Sequence, residues 1–231
     1  MPERPLNLLR HALIVAGATC VAFVGYYHAS AATIRFDRLT SLAGERYGSD
    51  GIARIEAWEA FINASRKLPA REKLIATNDF FNSRVRWDTD QNIFGQEDYW
   101  ATPLETLGRL EADCEDFSIA KYATLLALGI EPESLRLFYV KLRYGSGASQ
   151  AHMVLAWYET PTATPLILDN FNTLLLPADK RGDLSPVFSF NADELWIGGR
   201  AAPSSANPQA RISRWRIVLD RMADEGFQGT P

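Results

Sequence analysis

Cysteine, histidine and methionine are scarce in this sequence, at 2, 3 and 3 of 231 residues. Positive charge is short as well: the formal net charge is −4, which leaves no broad basic surface for a nucleic-acid partner. Repeats and low-complexity tracts are absent. With 47% hydrophobic and 23% charged residues, the chain has the composition of a folded domain with a sizeable core.

The scarcity sharpens once the N-terminus is read. Arg4 and Arg10 precede an apolar run from Ala12 to Tyr27, followed by Ala29-Ser30-Ala31. Residues 1–31 therefore read as a signal peptide with an A-x-A cleavage site, and residues 32–231 as a single mature domain in the periplasm. The alternative is an uncleaved anchor facing the periplasm, although the run falls short of the ~20 residues that cross a bilayer. Cys20 follows Gly17-Ala18-Thr19, which does not fit a lipoprotein signal. Cleavage removes Cys20, His11 and His28 and leaves Cys114 and His152 as the single thiol and imidazole. An internal disulfide and a cysteine-histidine zinc site are both excluded.

Apolar residues at helical spacing (Ile52, Ile55, Trp58, Phe61, Ile62) predict an amphipathic helix over 46–66. A second starts at Pro69 and carries Leu74, Phe80, Phe81 and Val85. The loop DTDQNIFGQEDYWATPLETL then leads through Pro103 into a short helical stretch, its aromatics read as packing groups. In EADCEDFSIAKYATLLALG, Asp113 is placed as an N-cap with Asp116 three residues on, a capping box with Asp in place of Glu. Phe117, Ala120, Tyr122 and Leu126 are expected to face inward, and Gly129 with Pro132 stops the helix. Cys114 thus falls in the first turn, where unpaired N–H groups and the helix dipole favour a thiolate.

Three strand patterns follow: LRLFYVKLRY, AHMVLAWYE and PLILDN, the last two joined by the turn-rich TPTAT. A hairpin centred on Thr160-Pro161 sets His152 directly opposite Asp169 on one sheet face. The next segment reads as irregular chain with a strand or two, and RISRWRIVLDRMADEG as a helix whose charges form a solvated face. A helix-end thiol, a strand histidine and an acid opposite it supply nucleophile, general base and orienter. The Cys114 N–H and a donor from the Tyr99-Trp100 loop would meet the oxyanion. Bland readings stay open: Cys114 as a small buried hydrophobe, His152 as a structural histidine, and Asp169-Asn170 as a strand-end turn.

The segments DYWATPLETL, EADCEDFSIAKYATLLALGI, AHMVLAWY and LILDN resemble the bacterial transglutaminase-like cysteine proteinases, and within them the LapG-type periplasmic proteases. The resemblance implies an α/β (α+β) fold of the papain/transglutaminase-like kind, a helical N-terminal part packed on an antiparallel sheet. It implies Cys114 as nucleophile, His152 as base and Asp169 as third member. It also implies a Ca2+ ion beside the nucleophile, held by Asp113 and Glu115, which suits a hard cation taking oxygen ligands. Capping alone accounts for Asp113 and Asp116 but less well for Glu115. The partners implied are a large calcium-binding surface adhesin as substrate, cut near its N-terminus to release a biofilm cell, and a sequestering inner-membrane cyclic di-GMP receptor of the LapD type. One departure is Ala112, where the family usually has glycine. Rival readings are a transglutaminase-like acyl transferase on the same triad and a non-catalytic binding module of the same signalling system.

Overall fold

The structure, a computed structural model, describes residues 33–145, 147–198 and 202–229. The expected signal peptide lies outside these residues. Among those described, no helix is long and apolar enough to cross a membrane.

In chain order the elements are β1 (Thr33–Ile34), α1 (Phe36–Ser65), α2 (Ala70–Asn82), β2 (Arg86–Trp87), α3 (Asp90–Ile93), α4 (Pro103–Arg109), β3 (Glu111–Ala112) and α5 (Cys114–Ala127). They continue with β4 (Leu135–Tyr144), β5 (Ala148–Trp157), β6 (Leu166–Leu168), β7 (Leu176–Pro177), β8 (Leu184–Phe190), β9 (Leu195–Ile197), α6 (Pro208–Arg211), α7 (Ser213–Glu225) and β10 (Phe227–Gln228).

The first helix begins ten residues before the expected position, because Leu39 and Ala43 extend the buried stripe formed by Ile55, Trp58 and Ile62. A kink at Gly48, with φ of 67°, joins the two stretches. Pro69 stands one place outside α2 as its N-cap rather than in its first turn, its φ of −57° already set for the helix. Thr102 and Glu105 form a capping box on α4, with Pro103 as the first helical residue. Leu110, at φ of 57°, turns the chain out of α4 toward the next helix.

The expected Asp113/Asp116 capping box is formed on α5. This helix is buried on every side from Asp116 to Ala127, not on one face, because β5 lies along one flank and α2 and α4 along others. Trp58 of α1 ties to it by an indole N–H bond of 3.1 Å to Thr124. Ala112, in place of the usual glycine, is fully buried in the parallel pair β2–β3 and does not have positive φ, so the backbone there needs no glycine.

The six-stranded sheet runs β7-β6-β5-β4-β8-β9 and is antiparallel throughout. Leu135, Leu137, Met153, Leu155, Leu168 and Phe190 join the main core with the helices. The alternate residues Phe138, Val140, Val154, Ala156 and Ile167 form a smaller cluster on the other face. The helical N-terminal part packed on an antiparallel sheet is therefore as expected.

The β5–β6 hairpin differs in register. Leu155 faces Leu168 and Trp157 faces Leu166, which moves the centre one residue on, to Pro161-Thr162, and slides the pairing by two. His152 is thus not directly opposite Asp169, which follows the last residue of β6. A slip of two keeps every side chain on its face, so the two residues still meet.

The α7 charges also depart from expectation. Arg221 reaches inward to the Tyr99 hydroxyl, the Trp100 carbonyl and Glu105, the last at 2.6 Å. Glu225 is buried and accepts from Arg46 at 2.6 Å. This helix braces the loop before α4 instead of presenting only a solvated face.

Candidate active site

His152 sits in the middle of β5 and Asp169 just past the end of β6, 3% and 1% exposed. The imidazole Nε2 lies 2.8 Å from Asp169 Oδ1. The same oxygen accepts from the Phe171 N–H at 2.9 Å, and Oδ2 accepts from Arg181 Nη2 at 2.7 Å. Arg181 is itself buried and bonds Asp183 through Nε and Nη2. Burial alone would raise the Asp169 carboxyl, but the bond and charge of His152, the Phe171 N–H and Arg181 hold it at about 2. An ionised carboxylate only accepts, so the Nε2 of His152 carries the proton in this bond, and Nδ1 is the ring nitrogen not engaged by Asp169. Phe171 stands edge-on to the imidazole at 6.4 Å between ring centres.

Cys114 opens α5 and is free and only partly buried. Because β6 ends opposite Leu155, residues 148–154 of β5 have a strand neighbour only on the β4 side. The backbone N–H of Met153, next along from His152, lies close enough to the Cys114 sulfur to act on it. Ser118 ties the same helix to the Met153 carbonyl at 3.2 Å. The thiol is thereby docked on the strand that carries the imidazole.

The electrostatics around the sulfur run against the expectation of a thiolate stabilised by the helix end. Burial, then the charges of Glu115 and Asp113, push the thiol well above its ordinary range, and only the Met153 N–H pulls the other way. Accordingly Sγ donates to Glu115 Oε2 at 2.8 Å. The partial charge of one helix end is small beside burial and carboxylates this near.

The acids form two overlapping groups whose ligand atoms lie within 4.8 Å of one another: Asp113, Cys114 and Glu115, and Asp90, Asp113 and Asp116. Asp116 accepts from the Ala101 N–H at 2.6 Å and Asp90 from the Tyr99 N–H at 2.6 Å. Asp90 Oδ1 is buried without a hydrogen-bond partner. Burial raises the pKa of Asp90, Asp113 and Asp116 together, and their mutual repulsion with Glu115 adds to it. An all-oxygen donor set, an orphaned buried carboxylate oxygen and crowded like charges fit a hard divalent cation.

Two site residues escaped the sequence reading. Asp90 had a signal in DTDQN, where Asp88, Asp90 and Asn92 place oxygen-bearing side chains at alternate positions, as cation-binding loops do. Arg181 had none, since nothing local links it to Asp169.

The profile described as bacterial transglutaminase-like cysteine proteinase (BTLCP) matches residues 59–182. The chain belongs to this family. Among solved structures, LapG of Legionella pneumophila in its EGTA-treated form is similar at 36% identity and a TM-score of 0.72, over 83% of this chain and 100% of that one. Its calcium-bound form is similar at 38% identity and a TM-score of 0.70, over 81% and 98%. Among curated protein sequences nothing matches significantly. This member of the proteinase family therefore has a relative whose structure is known with calcium bound.

Proposed function

We propose that this protein is a calcium-dependent periplasmic cysteine endopeptidase whose triad is Cys114, His152 and Asp169. The observation that carries the reading is the buried His152–Asp169 bond of 2.8 Å, on the strand against which Cys114 is docked.

Asp169 holds the imidazole in the tautomer with Nδ1 free to take the thiol proton. The sulfur attacks the scissile carbonyl, an S–C bond forms, and the oxyanion is met by the Cys114 N–H. A second donor is read from the Tyr99-Trp100 loop, which is held beside α5 by the bond of the Ala101 N–H to Asp116. The tetrahedral species collapses as the C–N bond breaks, with the imidazolium giving its proton to the leaving amine. Water, deprotonated by the imidazole, then cleaves the thioester and restores the thiol.

Asp113 and Glu115, joined by Asp90 and Asp116, would hold the calcium. Bound there, the ion supplies positive charge that offsets the carboxylates and favours the thiolate. The substrate is read as a large calcium-binding surface adhesin, cut near its N-terminus, with biofilm dispersal as the outcome. Sequestration by an inner-membrane cyclic di-GMP receptor of the LapD type is the matching regulation. Family membership, the calcium-bound relative and the acid cluster support the proteinase and calcium assignments, while the substrate and the receptor rest on the resemblance to LapG-type proteases.

The test is incubation of the purified protein with an N-terminal adhesin fragment. Cleavage is expected with calcium, and is lost with EGTA and in Cys114→Ser. No cleavage with calcium present overturns the reading, and incorporation of a labelled amine in place of hydrolysis assigns acyl transfer instead.

A further inference from the structure

Asp169 is gripped by its side chain through Arg181 and, from the helical side, by its backbone. Asn82 Nδ2 donates to the Asp169 carbonyl at 2.8 Å, and Asn78 Nδ2 donates to the Thr173 carbonyl at 2.7 Å. These two carbonyls bound the segment that carries the orienting acid and Phe171. Asn78 and Asn82 are four residues apart on α2, one above the other on a single face.

Both asparagine oxygens accept from one group. Lys121 Nζ donates to Asn78 Oδ1 at 2.9 Å and to Asn82 Oδ1 at 2.8 Å. Lys121 lies seven residues, about two turns, beyond Cys114 on α5, so both project from the same side of that helix. It is 1% exposed, and it forms no ion pair among the described residues. Asp169 and Asp79 act on it only at a distance, and the Phe117 ring lies 5.4 Å away. Burying an amine without a counter-ion is expensive, and a methionine would fill the space without that penalty.

What the amine supplies is direction. The Lys121 ammonium has only donors, and even the neutral amine that burial favours, its pKa lowered to about 7, keeps two N–H groups, one for each amide oxygen; both amide NH2 groups then turn outward. Outward is where the carbonyls of Asp169 and Thr173 lie. We propose that Lys121 is a positioning residue: by fixing the orientation of Asn78 and Asn82 it clamps the 169–173 segment and sets the Asp169 carboxylate against His152. One helix then carries the nucleophile at its start and the anchor of the orienting acid two turns on. The inference rests on Asp169 being the acid of the triad.

Two variants and one spectroscopic signal test it. Lys121→Met removes the donors. Asn82→Asp keeps an oxygen toward Lys121 but loses the NH2 that holds the Asp169 carbonyl. In both, kcat toward the adhesin fragment is expected to fall about 10- to 100-fold with KM within about twofold, the scale of other supporting-residue losses at such sites. The His152 signal in the 15N-histidine spectrum, assigned by its loss in His152→Gln, is expected to move from a single Nε2–H tautomer toward a mixture. Wild-type kcat and an unmoved His152 signal in either folded variant overturn the proposal. So does a fall in kcat with the His152 signal unmoved, which marks a purely structural role. Asp169→Asn separates the two readings: full activity in that variant sinks the triad itself, whereas loss there with no effect of Lys121→Met or Asn82→Asp sinks only the clamp. Should Lys121→Met fail to fold, Asn82→Asp decides alone, since Asn82 is only partly buried.

Discussion

Asp169 and Asp116 are both buried carboxylates, 1% and 0% exposed, and they live in opposite electrostatic worlds. On the sheet side, Arg181, the Phe171 N–H and the His152 ring hold Asp169 ionised, with a pKa of about 2. On the helix side, Asp116 has two backbone N–H donors but shares its space with Asp90, Asp113 and Glu115. None of these four forms an ion pair with a lysine or arginine among the described residues, and the pKa of Asp90, Asp113 and Asp116 rises. The sheet side brings its own counter-charge. The helix side has no such counter-charge among the described residues, and Cys114 lies on that side.

Four experiments break or sharpen this contrast. The largest effect is expected from Asp169→Asn, which leaves His152 free to take the wrong tautomer; kcat/KM should fall roughly a thousandfold or more, by the behaviour of such triads. Next comes Arg181→Met, which strands Asp169 as a buried charge and should lower unfolding free energy by about 3–5 kcal/mol in urea titrations. Adding Asp169→Asn to that variant should recover part of the loss, because the stranded charge is gone.

Calcium should stabilise the helix side. At a hundredfold excess over its Kd it should add about 2.7 kcal/mol of unfolding free energy, and Asp113→Asn or Asp90→Asn should reduce that gain. Unfolding insensitive to calcium would remove the functional meaning of the acid cluster.

The smallest effect is an acid limb. The pKa of Asp169 is depressed from 3.8 to about 2 on folding, so its contribution is complete above pH ~4 and is lost as pH falls toward 2. That contribution is about 2 kcal/mol, and the limb should vanish from the pH dependence of urea unfolding in Asp169→Asn. The helix-side acids have the reverse sign. Their raised pKa values mean the folded state holds protons more tightly, so their contribution declines as pH rises.

Local chemistry announced much of this site. The Asp113/Asp116 capping box, the stop at Gly129 and the three strand patterns are properties of short windows, and each is formed. The hairpin register shows the limit. TPTAT marks a turn without fixing its centre, and packing of Leu166 and Leu168 into the main core accompanies a slide of two residues. The side-chain period of two kept His152 and Asp169 on one face despite the error. In α7, amphipathic spacing correctly gave a helix but could not show that Arg221 crosses to the Tyr99-Trp100 loop, far away in the chain.

By itself, the sequence determined which groups were available for chemistry: a single thiol and a single imidazole beyond the N-terminal segment, and a thiol placed among acids at the start of a helix. Those facts follow from composition and from interactions within a few residues. Only the tertiary structure decided how the charges are balanced, by bringing Arg181 to Asp169, Asp90 to Asp113 and Lys121 to Asn78 and Asn82. The physical reason is that burial and Coulomb interactions depend on distance in space and on water excluded, and neither is written in sequence separation.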